Sequence, residues 1–248
     1  MFDKFKKADQ VEEQTDSLGG YSLFESGLYT DTVKLVFFGK SQSSDAQFAE
    51  IHMDIGGQNM SERIYFTNGK GENTYSKDGK DYFLPGFEML NDLCLITTGS
   101  ELVDLEDSIE EKTVKLYDYE AKKDLPKNVP CLTAVMGEKV TAAIIKQTVD
   151  KQKKSDATGN YENTGETRDE NVFSKFFDVD SGMTVPEAHK GDEEATFIHA
   201  WDKKNTGVTR DRSKGVTNGS APGRPQRSGK GSDGAAQKPK SSMFSKNK

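Results

Sequence analysis

Two cysteines, one tryptophan and three histidines in 248 residues set the first exclusions. Cys94 and Cys131 each sit in an apolar stretch, Leu93-Cys94-Leu95 and Pro130-Cys131-Leu132. Isolated thiols of that kind read as buried, reduced packing residues, which suits a cytoplasm and argues against a disulfide scaffold. His52, His189 and His199 keep no ligand spacing with one another or with either cysteine, so a zinc site is not expected. No apolar run approaches the roughly 20 residues that a membrane helix needs. Residues 1–7, Met-Phe-Asp-Lys-Phe-Lys-Lys, contain no apolar stretch of the signal-peptide type. No Ser/His/Asp or Cys/His arrangement stands out for nucleophilic catalysis. The acidic run over residues 101–111 reads as a solvated loop, and a metal-dependent nuclease would need carboxylates converging from several strands. Neither catalysis nor a cofactor is expected.

Apolar side chains are scarce too: 33% of the chain is hydrophobic and the mean hydropathy is −0.78. A modest core with polar appendages follows, with about 180 to 200 residues able to fold as one domain, or as one domain with a companion lobe. Charge is divided along the chain. Residues 1–202 carry 22 Lys/Arg against 39 Asp/Glu, a net −17, whereas residues 203–248 carry 12 Lys/Arg against 2 Asp, a net +10. The latter stretch is rich in Gly, Ser and Pro, with Val208, Val216, Met243 and Phe244 as its larger apolar side chains. It buries too little to offset the entropy of ordering and reads as a disordered basic tail. A basic tail on an acidic body hints at a polyanionic partner, although such tails also meet membranes and acidic proteins.

Residues 1–18 read as a short polar arm that frays. From Tyr21 a period of two begins. Val33, Leu35 and Phe37 alternate with Lys34, Val36 and Phe38; Ile51, Met53 and Ile55 alternate with His52 and Asp54; Ile64 and Phe66 alternate with Arg63, Tyr65 and Thr67. Turn residues separate these runs, so three antiparallel strands are expected. Asp78-Gly79 between Tyr75 and Tyr82 is a hairpin signal. Phe87, Leu90, Leu93 and Cys94 then recur at helical spacing, and Gly99 is placed to close one short helix. Residues 113–119 and 129–136 resume strands, and Gly137-Glu138 is read as the turn of a hairpin into residues 140–149. Residues 151–160 read as a loop, and residues 171–179 and 195–201 are the last apolar segments.

Three strands, a helix, then two or three strands is the order of an OB-fold, a Greek-key β-barrel with its helix between strands three and four. An SH3-like barrel or a sandwich shares the strand count; the mid-chain helix favours the OB-fold. The expected organisation is an arm (1–18), a mainly β OB-like domain (19–202, with 155–202 an added lobe or the completion of the barrel) and the tail (203–248).

Candidate binding residues lie on strand faces. Opposite Val114 and Leu116 stand Lys115, Tyr117 and Tyr119; opposite Ile64 and Phe66 stand Arg63 and Tyr65; Lys34 stands opposite Val33 and Leu35. Cations beside exposed rings suit single-stranded nucleic acid, with bases stacked on the rings and phosphates met by the cations. Aromatics are also good strand formers and lysines solubilise a face, so from the pattern alone both readings stand. The segment with Lys70, Tyr75, Lys77, Lys80 and Tyr82 folds over a bound strand or is a plain solvated hairpin. Asn68-Gly-Lys-Gly71 lacks the spacing of a P-loop.

A wider set of residues carries a likeness. Thr15-Asp-Ser-Leu-Gly-Gly-Tyr21 and Gly27-Leu-Tyr29 come first, then Thr67-Asn-Gly-Lys-Gly71, Tyr75 and Gly79-Lys80. Leu84-Pro-Gly-Phe87, Leu93-Cys94 and Thr98-Gly99 follow, and later Val172-Phe173, Gly182-Met-Thr-Val-Pro-Glu187 and Trp201-Asp202. In order and spacing this set, spanning about residues 14–215, resembles the single-stranded-DNA-binding proteins of tailed bacteriophages that carry their own replication machinery. The resemblance implies an OB-fold and single-stranded DNA binding with little sequence preference. It implies roles in replication, recombination and repair in the host cytoplasm, beside replication or recombination proteins or a polymerase. It implies no catalysis and no cofactor. Many proteins of this class finish in an acidic tip, whereas Met243-Phe-Ser-Lys-Asn-Lys248 is basic, which points the tail toward DNA instead. A non-catalytic adaptor built on a β-barrel is the competing expectation.

Overall fold

A computed structural model describes residues 22–41, 44–118, 121–155 and 161–214 of the chain. Among the described residues ten strands and three α-helices follow one another: β1 (Gly27–Lys40), β2 (Gln47–Ile55), β3 (Gln58–Tyr65), β4 (Thr74–Lys77), β5 (Lys80–Phe83), α1 (Pro85–Thr98), β6 (Ile109–Asp118), β7 (Lys123–Leu132), β8 (Lys139–Lys154), β9 (Tyr161–Phe177), α2 (Val185–Lys190), α3 (Thr196–Asn205) and β10 (Arg210–Asp211). The protein is mainly β.

The period-two runs become β1, β2 and β3, paired antiparallel in sequence order. Their inward phase builds the core: Val33, Val36, Ala49, Ile51, Met53, Met60 and Ile64 are buried. The register of β1 on β2 shifts between Val33 and Leu35, so Lys34 forms a bulge. A bulge inserts one residue and flips the pleat beyond it. Val33 and Val36 therefore both enter the core, while Phe37 lies against His52, 5.9 Å between ring centroids, on the opposite face.

β8 pairs antiparallel with the first half of β1 and with β9, so the main sheet runs β9–β8–β1–β2–β3. The alternation of directions makes its two edges, β3 and β9, parallel. They face each other across a seam with no strand pairing among the described residues, so the sheet curls without closing. Glu62 of β3 spans the seam and its carboxylate accepts the backbone N–H of Phe173.

Helix α1 lies where the sequence placed it. Pro85 opens it, Gly99 closes it in the left-handed region (φ 75°), and Phe87, Leu90, Leu93 and Cys94 face the core. Its first turn rests on the end of β3: a Cβ at Gly86 would stand 2.1 Å from the Tyr65 carbonyl oxygen, so only glycine fits. A second, smaller core joins Ala143, Ile145, Phe177 and Trp201 and seats α3 on the other side of the sheet. Glu187 ties this region together. Its carboxylate accepts from Thr184 N (3.0 Å) in the capping box of α2, and from Thr196 N (2.9 Å) and Phe197 N (2.7 Å) at the start of α3.

Four expectations need correcting. The hairpin across Gly137-Glu138 does not form. β7 bridges β1 at Phe37–Cys131 and β8 pairs with β1 from Thr32–Lys139 onward, both on the edge opposite β2. Two strands queued end to end along one edge cannot pair with each other; β7 pairs with β6 and β8 with β9 instead. The acidic run is not a loop: residues Leu102–Ser108 make a 3-10 turn and β6 starts at Ile109. Lys151, Lys153 and Lys154 belong to β8, not to a loop. The folded part does not stop at residue 202. Lys203, Lys204 and Asn205 finish α3, Gly207 N donates to Ser26 O (2.8 Å), β10 runs parallel beside Gln147 and Thr148 of β8, and Lys214 N reaches Asp150 (2.9 Å). The arm over residues 1–18 and the tail beyond residue 214 lie outside the described residues.

Candidate nucleic-acid interface

The outward face of β2 and β3 carries Phe48, Glu50 and His52 on one strand and Ser61, Arg63 and Tyr65 on the other, in the phase opposite the core. Register places Phe48 opposite Tyr65 and Glu50 opposite Arg63. The Phe48 and Tyr65 rings meet edge to face at 5.7 Å, and the Arg63 guanidinium lies over Phe48, 4.0 Å from the ring centroid. Gly39 of β1 makes room for this ring, because a Cβ there would stand 2.2 Å from Phe48 Cζ. Tyr65 is 49% exposed.

Arg63 is oriented from one side. Its Nε and Nη2 both donate to Glu50 Oε2, at 3.2 and 2.8 Å. Glu50 Oε1 lies 3.3 Å from His52 Nε2. The His52 ring first, and then Arg63, hold the Glu50 carboxyl below its usual range against the opposing effect of burial. The result is a shelf on which Tyr65 offers an exposed ring beside Phe48 and a guanidinium held between the Phe48 face and Glu50.

A second group hangs from the end of β3. Asp78 (φ 53°) and Gly79 (φ 72°) turn β4 into β5, as the sequence indicated, and both residues lie in the left-handed region that a two-residue hairpin turn demands. Tyr75 and Tyr82 pair across the hairpin and stack at 5.7 Å with 29° between their planes, each 44% exposed. Lys77 and Lys80 flank the turn. Lys70 sits in a tight turn organised by Asn68, whose Oδ1 accepts Lys70 N (2.9 Å) and Glu72 N (3.0 Å). The hairpin's base is held near Tyr65: Phe83 rests on Phe87 of α1 at 4.8 Å, and Gly86 abuts the Tyr65 carbonyl.

A third group lies on the β6–β7 ribbon. Lys115 and Tyr117 are exposed while Val114 and Leu116 are half-buried, the alternation read from sequence. They pair with Pro126 and Asp124, five and seven residues along the ribbon from the Glu110–Cys131 pair that sits beside β1. At about 3.3 Å per residue, that is roughly 17 to 23 Å away. Lys34 stands apart on its bulge, 4.0 Å from Asp54. Tyr119 lies outside the described residues.

Arg63 and Tyr65 are thus brought together, and the hairpin is anchored near them at its base through Phe83, while Lys115, Tyr117 and Lys34 stand on other elements. Sequence reading missed Phe48 and His52. Their signal was the outward phase of β2, in which His52 stands between Ile51 and Met53 and Phe48 lies two outward positions before His52.

Both cysteines are free and buried; burial pushes the Cys94 thiol up to about 12 and raises that of Cys131, which keeps them protonated. Among the described residues no group of three His, Cys, Asp or Glu is arranged to hold a metal ion, and no helix is long and apolar enough to cross a membrane. Neither protein-family models nor curated protein sequences match this chain.

Proposed function

We propose that the protein binds single-stranded DNA without catalysis and with little sequence preference, on the shelf made by Phe48, Arg63 and Tyr65. The observation that carries this reading is the pairing of two outward rings with a clamped guanidinium on β2 and β3, continued by the Tyr75–Tyr82 stack. Bases stack on rings whatever their identity, at about 1–3 kcal/mol each, while Arg63, Lys70, Lys77 and Lys80 meet the backbone.

The strand order supports an OB-type fold for this reading. β1, β2, β3, α1, β8 and β9 follow the OB succession, and β3 and β9 are the parallel pair that such a barrel brings together. The β4–β5 hairpin and the β6–β7 ribbon are then insertions on either side of α1. The outer face of strands two and three is where OB-folds take oligonucleotides. The role that fits is protection and organisation of single-stranded DNA in the cytoplasm during phage replication, recombination and repair, next to replication or recombination proteins.

The test is titration of the full chain against fluorescent oligo-dT and against duplex DNA, at low and moderate salt. Oligo-dT binding well above duplex binding is expected. Equal binding to both would reduce the interaction to general polyanion attraction, and no binding would leave a protein–protein adaptor as the working function.

A further inference from the structure

On the face of the sheet away from the Phe48 shelf, an apolar hollow of about 470 Å³ opens beneath the acidic 3-10 turn. Its floor is the edge-to-face pair Phe38–Phe66, 5.6 Å between centroids; Val103, Ile109 and Pro130 form its sides, with Gln47 and Glu106 at the rim. Val103 is 61% and Ile109 37% exposed. The surrounding run is acidic: Glu101, Asp104, Glu106, Asp107, Glu110 and Glu111 fall within residues 101–111, with no Lys or Arg among them. Among the described residues Glu110 alone of these has a cationic partner, Lys112 at 3.0 Å. An apolar hollow beside unneutralised carboxylates fits a short peptide with apolar anchors between lysines.

The chain carries one such peptide. Residues 215–248 contain seven Lys/Arg against one Asp, and their larger apolar residues are Val216, Met243 and Phe244. Met243-Phe244 is the one adjacent pair of large apolar residues, with Lys238 and Lys240 before it, Lys246 and Lys248 after it, and no acid from residue 234 onward. We propose that residues 238–248 dock in this hollow of their own chain, Met243 and Phe244 entering between Val103 and Ile109 while the four lysines face the acidic run.

Chain length permits it. Twenty-eight residues lie between Lys214 and Met243. A Gly/Ser-rich linker of that length has a root-mean-square span of about 30 Å, comparable to a small domain, and a fully extended reach about three times larger. Such a tether holds the peptide at an effective concentration near millimolar, so even a weak site fills. On the proposed function these four lysines, together with Arg224, Arg227 and Lys230, also meet phosphates, so docking and DNA contact exclude each other at the four. The dock acts as a counter-weight that releases the basic segment when DNA arrives.

The experiment needs no nucleic acid, so its outcome is separate from that of the oligo-dT titration. Gln47→Cys with Ser245→Cys is introduced in the full chain and oxidised with dilute oxidised glutathione; the native thiols are buried and do not compete. Ser61→Cys with Ser245→Cys, on the opposite face, is the control. Both Gln47 and Ser61 are exposed, so folding is retained, and the thermal melt verifies it. The intrachain disulfide is expected at least tenfold faster for the first pair. It should fall to the control rate with Met243→Ser and Phe244→Ser, or with Asp104→Lys and Glu106→Lys. Equal rates for both pairs, only interchain bonds, or indifference to those substitutions overturns the proposal.

Discussion

Tyr65 is half exposed on the last position of β3, while Ile64 beside it is buried. The period of two decides that difference, and it also puts Phe48 and Arg63 on the Tyr65 side. Removing the Tyr65 ring therefore removes stacking surface without opening the core. Tyr65→Ala should weaken oligo-dT binding by about 1–3 kcal/mol, roughly 5- to 150-fold, and leave the melting temperature close to that of the parent. Loss of fold or unchanged affinity would remove Tyr65 from the shelf. Glu187 shows the opposite character, a carboxylate whose work is structural. Burial alone would raise its pKa, but the backbone N–H groups of Thr184 and Phe197 and the hydroxyls of Thr184 and Thr196 outweigh burial and hold it down to about 2. The folded value lies below the unfolded one, so its contribution is present above about pH 4.5 and is lost as pH falls toward about 2. Glu187→Ala should lower stability by about 1–3 kcal/mol at pH 7, and by much less at pH 3, in parallel denaturant melts.

At the scale of elements, a pH response near neutrality is expected from the seam between β3 and β9. Glu62 is pushed up to about 7, first by burial and further by the Glu170 charge, while the Phe173 N–H opposes the rise. A carboxyl raised in the folded state favours folding fully below its unfolded pKa and loses that contribution as pH climbs through about 7. The parent protein should thus lose melting temperature between pH 5 and pH 8. Glu62→Gln, which still accepts from Phe173, should flatten that stretch of the profile. An unaltered slope in the variant would place the titration elsewhere. Elements differed in how far they could be read beforehand. The Asp78-Gly79 hairpin and α1 were legible because their signals are local: two left-handed residues in a turn, and apolar residues at helical spacing between Pro85 and Gly99. The partner of β7 was not, because Gly137-Glu138 is a proper turn whichever strand the chain meets next. The free edge of β1 determined that partner. Likewise the apolar segment 195–201 enters helix α3 (Thr196–Asn205) because Trp201 and Ile198 find the second core on one side, a packing partner invisible in seven residues of sequence.

Across the whole molecule the acidic body and basic tail make DNA binding a question of where charge lies. Body cations are partly neutralised in place: Arg63 by Glu50, Lys146 by Glu25, Lys151 by Glu166 and Lys175 by Asp92. The seven Lys/Arg beyond residue 214 face a single Asp within their own segment. Deleting residues 215–248 should lower the slope of log affinity against log salt for oligo-dT, by about 0.7 for each phosphate that the tail neutralises. Preference for oligo-dT over duplex should survive, since rings rather than charge provide it. An unchanged slope would take the tail out of the interface.

Composition and local pattern by themselves determined that this chain is mainly β, that one helix follows the first three strands, that its thiols are buried and that its charge is split. Each of these depends on residues close in sequence or on simple counts. Tertiary structure alone decided that Lys34 sits on a bulge, that β7 and β8 share one edge of β1, that Phe48 joins Arg63 and Tyr65, and that Lys115 and Tyr117 stand away from them. Those outcomes turn on strand register and on competition for edges, which are set by interactions between residues far apart in the chain.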